Sequence, residues 1–356
     1  MTIIPVHAAG CRYDVVVGPL ANAGRRLREL ARGRPVPAVT DERVWALHGA
    51  VLADLLPVEP VFVPEGEAAK AWDQLRRLIA WLAELNLDRA SPVLAFGGGS
   101  VGDLTGLAAS LFKRGCPVVH VPTTLLAQVD SAVGGKTAID AEDQKNLVGS
   151  FHQPALVLAD VALLDTLDER QLRAGYAEVV KYALIGQDLR FDWLEDHGPA
   201  ILSGDRLMRE ETVSQCITAK ARLVEADPED RTGVRALLNF GHTFGHAIES
   251  AAGLGTVLHG EAVAVGMALA FDFSAELGLC PHADAERVRR HLREAGLPTT
   301  LADTGVDRGA LLPLMGADKK NEGGSLRLVL TRGIGDAFVA RDVDPGRLAD
   351  FLARAA

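Results

Sequence analysis

Three histidines in the second half of the chain are the residues whose types and spacing point most directly to chemistry. His242 and His246 are four positions apart, which places both side chains on one face of a helix. His259 follows after a short glycine-containing turn. Neutral imidazole is a good ligand for Zn, Co, Fe and Ni, so the cluster predicts a divalent metal site. The alternative is that all three histidines have structural roles only.

A catalytic metal site of this kind also needs a carboxylate, and Glu178 is the best candidate in the chain. It lies in a predicted helix and shares a face with Lys181, three residues further on. With His242 and His259, Glu178 would leave coordination positions open for substrate oxygens. A metal ion there would act as a Lewis acid and as a template for an alcohol and its neighbouring hydroxyl group. A carboxylate that is only paired along its own helix remains the alternative.

A glycine-rich turn in the first half of the chain predicts a dinucleotide site. Residues 97–102 read GGGSVG, between the predicted strand Pro92–Phe96 and the predicted helix Asp103–Phe112. Glycines at such a turn let backbone amides approach a pyrophosphate at a helix N-terminus. The motif is weak by itself, because no acidic residue ends the following strand. Asp41, at the end of an earlier strand, is a candidate for the ribose, and a tight packing turn is the alternative.

A polar, glycine-rich segment follows the next strand. Asp130, Lys136, Lys145 and Asn146 lie within it, and its spacing differs from that of a Walker loop. These residue types suggest a pocket for a phosphorylated polyol, with a solvated loop as the alternative. Together with the glycine turn and the histidine cluster, the segment suggests metal-assisted redox chemistry on an anionic polyol.

The pattern of predicted elements changes near residue 165. Before it, strands and helices alternate, which predicts an α/β nucleotide-binding domain with a parallel sheet in residues 1–165. After it, residues 166–356 predict a mostly α-helical domain that carries the metal and substrate residues. The elements predicted there are the helices Asp168–Ile185, Leu207–Ala226, Arg235–Ala251, Gly260–Leu277, Ala283–Ala295 and Pro345–Arg354, and a hairpin of Ser325–Thr331 with Asp336–Val339.

The composition is that of a globular protein with a large core: 48% of the 356 residues are hydrophobic and 24% are charged. The net charge of −10 argues against nucleic acid or an anionic membrane surface as a partner. The N-terminal residues lack the pattern of a signal peptide, and no apolar run reaches the roughly 18 residues of a membrane span. The four cysteines lie far apart in sequence, so a reducing, cytoplasmic setting is expected.

Six segments of the chain resemble those of the 3-dehydroquinate synthase family, a branch of the sugar phosphate cyclases. In chain order they are GGGSVGDLTG, VPTTLLAQVDSAVGGKTAID, KNLVGSFHQP, AEVVKY, RALLNFGHTFGHAIE and LHGEAV. The resemblance implies conversion of 3-deoxy-D-arabino-heptulosonate 7-phosphate to 3-dehydroquinate and phosphate, with NAD and one Zn or Co ion as cofactors. The steps it implies are transient oxidation by NAD, phosphate elimination, reduction and an intramolecular aldol closure. It also implies a homodimer.

The resemblance implies roles for individual residues as well. The implied metal ligands are Glu178, His242 and His259. The implied catalytic residues are Asp130, Lys136, Lys181, Asn239 and His246. The implied NAD-binding residues are Asp41, Glu67, Lys70, Gly99, Ser100, Val101, Gly102, Asp103, Thr123, Thr124, Lys136, Lys145, Leu163, Leu164, Asp165 and Thr166. The implied substrate-binding residues are Arg114 (from the partner subunit), Asp130, Lys136, Asn146, Lys181, Lys220, Arg235, Asn239, His246, Lys319 and Lys320.

The chain departs from the family pattern at two places. Gln144 stands where the family commonly has glycine, and Arg231 stands where it commonly has an acidic residue. These departures leave a related cyclase of secondary metabolism, such as aminodehydroquinate synthase, as an alternative. A metal-dependent polyol or alcohol dehydrogenase and a binding protein without activity are further alternatives.

Overall fold

A seven-stranded sheet organises the first of two units in the computed structural model, which describes residues 1–8, 10–142, 144–186, 189–253, 255–317 and 326–355. This unit comprises Met1–Asp168 and Arg206–Glu229. Its strands are β1 (Thr2–Ala8), β2 (Cys11–Val17), β3 (Val36–Thr40), β4 (Val58–Phe62), β5 (Val93–Gly97), β6 (Val118–Pro122), β7 (Lys136–Ala141), β8 (Gln144–Phe151) and β9 (Leu156–Ala159). The sheet order is β1-β2-β9-β6-β5-β3-β4, and only the β1–β2 pair within it is antiparallel. The predicted parallel sheet is therefore confirmed.

Helices occur in both units of the described part of the chain. They are α1 (Gly24–Ala31), α2 (Glu42–Ala53), α3 (Trp72–Glu84), α4 (Gly99–Leu111), α5 (Glu169–Leu184), α6 (Phe191–Ser203), α7 (Arg206–Ala226), α8 (His242–Ala252), α9 (His259–Glu276), α10 (His282–Glu294), α11 (Leu311–Ala317) and α12 (Pro345–Arg354). None of them combines the length and the apolar character that crossing a membrane requires.

The interior strand β5 shows why helices cover both faces of the sheet. Successive side chains of a strand point to opposite faces. Val93 and Ala95 enter a core built with α3 and α4, whereas Leu94 and Phe96 enter a second core built with α1 and α2. In such doubly wound sheets, ligands bind beyond the carboxyl ends of the parallel strands. The residues that follow β3, β5 and β6 are therefore in the right place for a cofactor.

Several local predictions need correction. The polar segment after β6, for which a solvated loop was the alternative, contains the hairpin of β7 and β8, whose residues Thr137 and Ile139 are buried. The helix after the glycine turn begins at Gly99 rather than at Asp103. The predicted helix Arg235–Ala251 is interrupted at Gly241, where a φ of +79° separates a short 3-10 helix from α8. Glycine tolerates this left-handed conformation without the steric cost that a Cβ would add.

The second unit, Glu169–Asp205 with Asp230–Ala356, is built around the almost entirely buried helix α9. Glycines allow α9 to approach its two neighbours. A methyl group on Gly260 would lie 1.8 Å from the carbonyl oxygen of Ala174 in α5, and one on Gly266 would lie 2.0 Å from that of Gly241 beside α8. The unit also contains the antiparallel hairpin of β10 (Leu326–Thr331) and β11 (Ala337–Val343), as predicted. Close packing of α5, α8 and α9 is what positions the histidine cluster.

The division into domains 1–165 and 166–356 stays a prediction. The two units of the structure differ from this division at one helix, because α7 belongs to the first unit rather than to the second. Within that unit α7 packs against β1, and Glu225 near its end accepts a hydrogen bond of 3.0 Å from the backbone N–H of His7.

Replacing Gly266 with alanine should lower the free energy of unfolding by about 1–3 kcal/mol, because the added methyl group meets a backbone carbonyl that cannot rotate away. Thermal and denaturant unfolding measure this change. Gly309→Ala is the matched control, since its nearest atom would be 3.5 Å away, an ordinary contact. Equal stability of the two variants would contradict the close approach of α9 and α8.

Candidate functional site

The centre of the second unit is a fully buried carboxylate, Glu178 on α5. Lys181 lies one turn further along the same helix and is also completely buried, and its ammonium group forms an ion pair with Glu178. A buried carboxylate is stable only when it is paired and hydrogen-bonded. The pair therefore provides a fixed negative charge with a positive partner at hand in a water-poor environment.

Two histidines face this carboxylate. The Nε2 atom of His242 lies 3.5 Å from Oε1 of Glu178, and the Nε2 atom of His259 lies 3.2 Å from the same oxygen. Ligands bound at about 2.0–2.1 Å in a tetrahedral zinc site lie about 3.3 Å from one another. The three side chains thus have both the donor types and the mutual spacing of a metal site, and their ligand atoms all lie within 4.8 Å of one another.

The second ring nitrogen of each histidine is already bonded. Nδ1 of His242 lies 3.2 Å from the carbonyl oxygen of Phe240, and Nδ1 of His259 lies 3.1 Å from Oε2 of Glu249. When each Nδ1–H donates to its oxygen, Nε2 carries the lone pair on the side of Glu178. Metal-binding histidines almost always have such a partner, which fixes the tautomer and the ring orientation. The residues present therefore fit a divalent metal ion.

The two imidazoles differ in their affinity for protons. Burial holds the pKa of His242 well below its ordinary value, against the opposing effect of Glu178. Burial also acts to lower the pKa of His259, but hydrogen bonds to Glu178 and Glu249 outweigh it and raise the pKa to about 10. Since a ligand imidazole must be neutral, an ion held by both rings would displace a proton from His259 and none from His242.

His246 lies one turn beyond His242 on α8, as the four-residue spacing predicts. Its ring is exposed, with its centroid 5.4 Å from that of His242 and 6.1 Å from that of His259. It also belongs to a second group with metal-binding geometry, together with Glu249 and His259. Its exposure suits a residue that contacts a substrate, whereas the set with the buried Glu178 suits the ion.

The start of α9, where His259 is the first residue, is held by a charged pair. Glu261 accepts a hydrogen bond of 2.8 Å from the backbone N–H of Leu258, and so caps the helix. Arg170 of α5 donates to both oxygens of Glu261, at 2.6 and 2.8 Å, and to the carbonyl oxygen of Thr256 at 3.0 Å. Bidentate pairs of this kind fix geometry as well as charge. They anchor the turn that presents His259.

The glycine turn of the first unit forms the start of α4. The first amides of a helix have no acceptor within the helix, and they attract anions. Added side chains would crowd the turn: a Cβ on Gly98 would lie 3.2 Å from Thr124, and one on Gly99 would lie 3.0 Å from Ser131. The neighbouring Thr123 is buried at the end of β6. Gly99, Ser100, Val101, Gly102, Thr123 and Thr124 thus lie at the carboxyl ends of β5 and β6, and their role in binding a pyrophosphate stays a prediction.

Lys70 connects the glycine turn with the β7–β8 hairpin. Its Nζ atom lies 3.0 Å from Oδ2 of Asp103 in α4 and 3.5 Å from Oε1 of Glu67, and it donates to Oδ1 of Asn146. Burial opposes its charge, but Asp103, Glu67 and Asp140 together raise the pKa of Lys70. Residues predicted for NAD and for substrate are therefore joined in one charged network.

The remaining residues predicted for NAD have different environments. Asp41 follows β3 and caps α2 by accepting a hydrogen bond of 2.7 Å from Val44 N–H. In the segment 163–166, both leucines are buried in the core, so only their backbone atoms can reach a ligand. Asp165 forms ion pairs with Arg206 and Arg209 of α7. The Oγ1 atom of Thr166 lies 2.7 Å from Nε2 of His48.

The residues predicted for substrate fall in both units. In the first unit, Lys220 of α7 donates to the carbonyl oxygen of Asp130 at 2.6 Å and pairs with its carboxylate. Also in this unit, the exposed residues include four that are predicted for substrate or NAD, namely Lys136, Lys145, Asn146 and Arg114. In the second unit, Arg235 is buried and Asn239 is half-buried, within the 3-10 helix that precedes α8. Lys319 and Lys320 lie outside the described residues.

Three residues of these networks were missed by sequence reasoning. Glu249 has a signal that was available, because it lies at i+7 from His242 and so on the same helix face as both α8 histidines. Asp140, which accepts a hydrogen bond of 2.8 Å from the backbone N–H of Asn146, and Arg170 have no comparable signal. Their contacts depend on tertiary packing.

Comparison with known proteins identifies relatives along the whole chain. Sequence models of the 3-dehydroquinate synthase N-terminal and C-terminal regions match residues 60–174 and 175–321. A 3-dehydroquinate synthase of Ruegeria sp. (strain TM1040) is 50% identical over 354 residues, covering 96% of this chain and 95% of that protein.

Two solved structures are also similar. A 2-epi-5-epi-valiolone synthase from Streptomyces hygroscopicus subsp. jinggangensis 5008, with NAD+ and Zn2+ bound, is 31% identical with a TM-score of 0.87, and the match covers 96% of each chain. A 2-deoxy-scyllo-inosose synthase complexed with carbaglucose-6-phosphate, NAD+ and Co2+ is 25% identical with a TM-score of 0.86, and the match covers 100% of each chain.

Replacing His259 with alanine should remove the bound metal ion and leave the fold largely intact, because one of three ligands is lost at a partly accessible position. Metal content after gel filtration and the far-UV circular dichroism spectrum measure the two effects. His246→Ala is the control and should retain the ion in stoichiometric amount. Loss of metal from the control together with its retention by His259→Ala would contradict the ligand assignment.

Metal affinity should depend on pH with the slope of a single proton. Because His259 is protonated below a pKa of about 10 and His242 is neutral, the dissociation constant should rise about tenfold for each unit by which the pH falls, between about pH 9 and pH 7. Competition with a chelator of known affinity measures it. A flat profile would show that no proton is displaced, and a slope near two would show that both histidines are protonated.

Proposed function

The chain belongs to the 3-dehydroquinate synthase family, and from this premise we propose that it converts 3-deoxy-D-arabino-heptulosonate 7-phosphate to 3-dehydroquinate and phosphate. The reaction is a step of the shikimate pathway and uses NAD and one zinc or cobalt ion. The observation that carries the proposal is the group of the buried Glu178 and His242 with the partly accessible His259, whose ligand atoms all lie within 4.8 Å of one another. A dehydrogenase-like cofactor turn accompanies it in the same chain.

The metal would be held by Glu178 and the Nε2 atoms of His242 and His259. When bound, such an ion supplies Lewis acidity and orients neighbouring hydroxyl groups. Lys181, paired with Glu178 in the buried interior, stabilises negative charge that develops on a substrate oxygen, and it does so strongly because water is excluded. Phe240 and Glu249 keep the two imidazoles in the tautomer that this role needs.

NAD would bind at the carboxyl edge of the sheet in the first unit. NAD held there would supply reversible hydride transfer. The amides of Gly99, Ser100 and Val101 suit the pyrophosphate, whereas the amide of Gly102 donates to the carbonyl oxygen of Gly98 at 3.1 Å. Asp41 suits a ribose hydroxyl group. Lys70 contacts Asp103 and Glu67, and so connects the start of α4 with the segment around Glu67.

The substrate is a small sugar acid with a phosphate and a carboxylate, so cations should surround it. We assign it to the residues predicted for substrate binding, with His246 as the residue that transfers protons or holds the phosphate. Asp130 and Lys220 act as a pair, because the ammonium group of Lys220 fixes the carboxylate. Lys319 and Lys320 are proposed for the substrate carboxylate.

A homodimer and a cytoplasmic location are also part of the proposal. Arg114 supports the dimer, because it is exposed and adopts a left-handed conformation, with φ of +63°, next to Lys113 with φ of +48°. Consecutive left-handed residues other than glycine are uncommon, and both of these residues are exposed. An arginine in this position can contact the substrate phosphate of a second copy of the chain.

A related cyclase of secondary metabolism is the second candidate. Arg231 is the departure that leaves this candidate open, because this exposed cation stands where the family commonly has an acid. An amino analogue of the heptulosonate phosphate, as used by an aminodehydroquinate synthase, is the substrate that this candidate predicts.

Incubation of the purified chain with 3-deoxy-D-arabino-heptulosonate 7-phosphate, NAD and Zn2+ or Co2+ should release one phosphate for each 3-dehydroquinate formed. Phosphate detection and chromatography of the product measure this. NADH should not accumulate, since each hydride is returned, and a chelator should abolish turnover. Turnover of the amino analogue alone would favour the second candidate, and net NADH formation with simple polyols would favour a dehydrogenase.

A further inference from the structure

Glu249 lies directly behind His259, on the side of the ring away from Glu178. Its carboxylate oxygen Oε2 is 3.1 Å from Nδ1 of His259, whereas Oε1 of Glu178 is 3.2 Å from Nε2 of the same ring. The Glu249 side chain is only 6% exposed, although α8 carries it two turns beyond His242. A buried carboxylate requires a bonding partner, and His259 provides one.

We propose that Glu249 is a positioning residue for the metal site, which sets the affinity for the ion by orienting His259. The inference rests on the proposed function, because it assumes that His259 is a ligand. The carboxylate accepts the Nδ1–H hydrogen bond, so Nε2 is the nitrogen that faces Glu178 and His242. It also fixes the rotation of a ring that is about one-third exposed.

The geometry separates this role from that of a direct ligand. Glu249, His246 and His259 also form a group with ligand atoms close together. However, Glu249 bonds to Nδ1, whereas the buried Glu178 and His242 lie on the side of Nε2. The His259 ring would therefore separate Glu249 from an ion bound beside Glu178. Carboxylates in this position raise the basicity of the ring, and their loss typically weakens metal binding about 10- to 100-fold.

Three variants of the full chain test the proposal, with Co2+ as the probe ion. Glu249→Ala removes the hydrogen bond and the charge. Glu249→Gln retains an acceptor oxygen but removes the charge. Ser250→Ala is the matched control, because Ser250 is the exposed neighbour on the same helix. The measurements are the Co2+ dissociation constant by chelator competition, the visible spectrum of the Co2+ complex, and the melting temperature in the presence of chelator.

The expected result is a dissociation constant raised about 10- to 100-fold in Glu249→Ala, a smaller rise in Glu249→Gln and none in the control. At saturating Co2+ the spectrum should match that of the parent, because the ligands are unchanged. If Glu249→Ala does not fold, Glu249→Gln alone decides the question by the same comparison.

Two results would overturn the proposal while leaving the metal site in place. An unchanged dissociation constant with a lower melting temperature in chelator would make Glu249 a packing residue only. A changed Co2+ spectrum or a lost stoichiometry at saturation in Glu249→Gln would make it a ligand. Failure of the parent chain to bind Co2+ at all would instead overturn the metal site of the proposed function, and this inference with it.

Discussion

The interaction on which the second unit depends is the burial of the Glu178 carboxylate. Moving an ion of this kind out of water costs several kcal/mol, and the cost is recovered only by close, well-oriented partners. Lys181 supplies one partner from the same helix, and the imidazole of His259, which is protonated when no ion is bound, supplies another. The helix α9 therefore has to place its first residue beside the middle of α5, and the packing of the unit meets this requirement.

Small residues make that arrangement possible. Gly260 allows α9 to contact the backbone of α5, and Gly266 allows it to contact the backbone next to α8. His242 and His259 are each the first residue of a helix. The positive end of a helix dipole disfavours a protonated imidazole, which suits a ligand that has to be neutral. For His259, the two neighbouring carboxylates outweigh this effect in the absence of an ion, so proton release and metal binding are linked.

Sequence reasoning predicted the features that depend on local pattern. The spacing of His242 and His246 indicated one helix face, and alternating strands and helices indicated the parallel sheet. It did not predict the break at Gly241 or the β7–β8 hairpin, because a glycine within an apolar pattern and a short polar strand carry little periodic signal. The proximity of Glu178 to two histidines was expected and is present in the structure, while the ligand roles stay predictions. The bond between Glu249 and His259 depends on how α8 crosses α9, which no local pattern specifies.

Charge balance explains why the Glu249 carboxylate is better placed as a hydrogen-bond partner of His259 than as a direct ligand of the proposed ion. The chain carries a net charge of −10, and its long-range field therefore repels an anionic sugar phosphate. Attraction has to come from charges within a Debye length of about 8 Å. A divalent ion together with the Glu178 carboxylate and the Lys181 ammonium group would carry a net charge of +2. The Glu249 carboxylate would lower that net charge to +1. A carboxylate bound directly to the ion would weaken its Lewis acidity more than one acting through an imidazole, because the Coulomb interaction falls with distance. Placing Glu249 at Nδ1 of His259 thus fixes the ring and keeps the centre positive for its substrate.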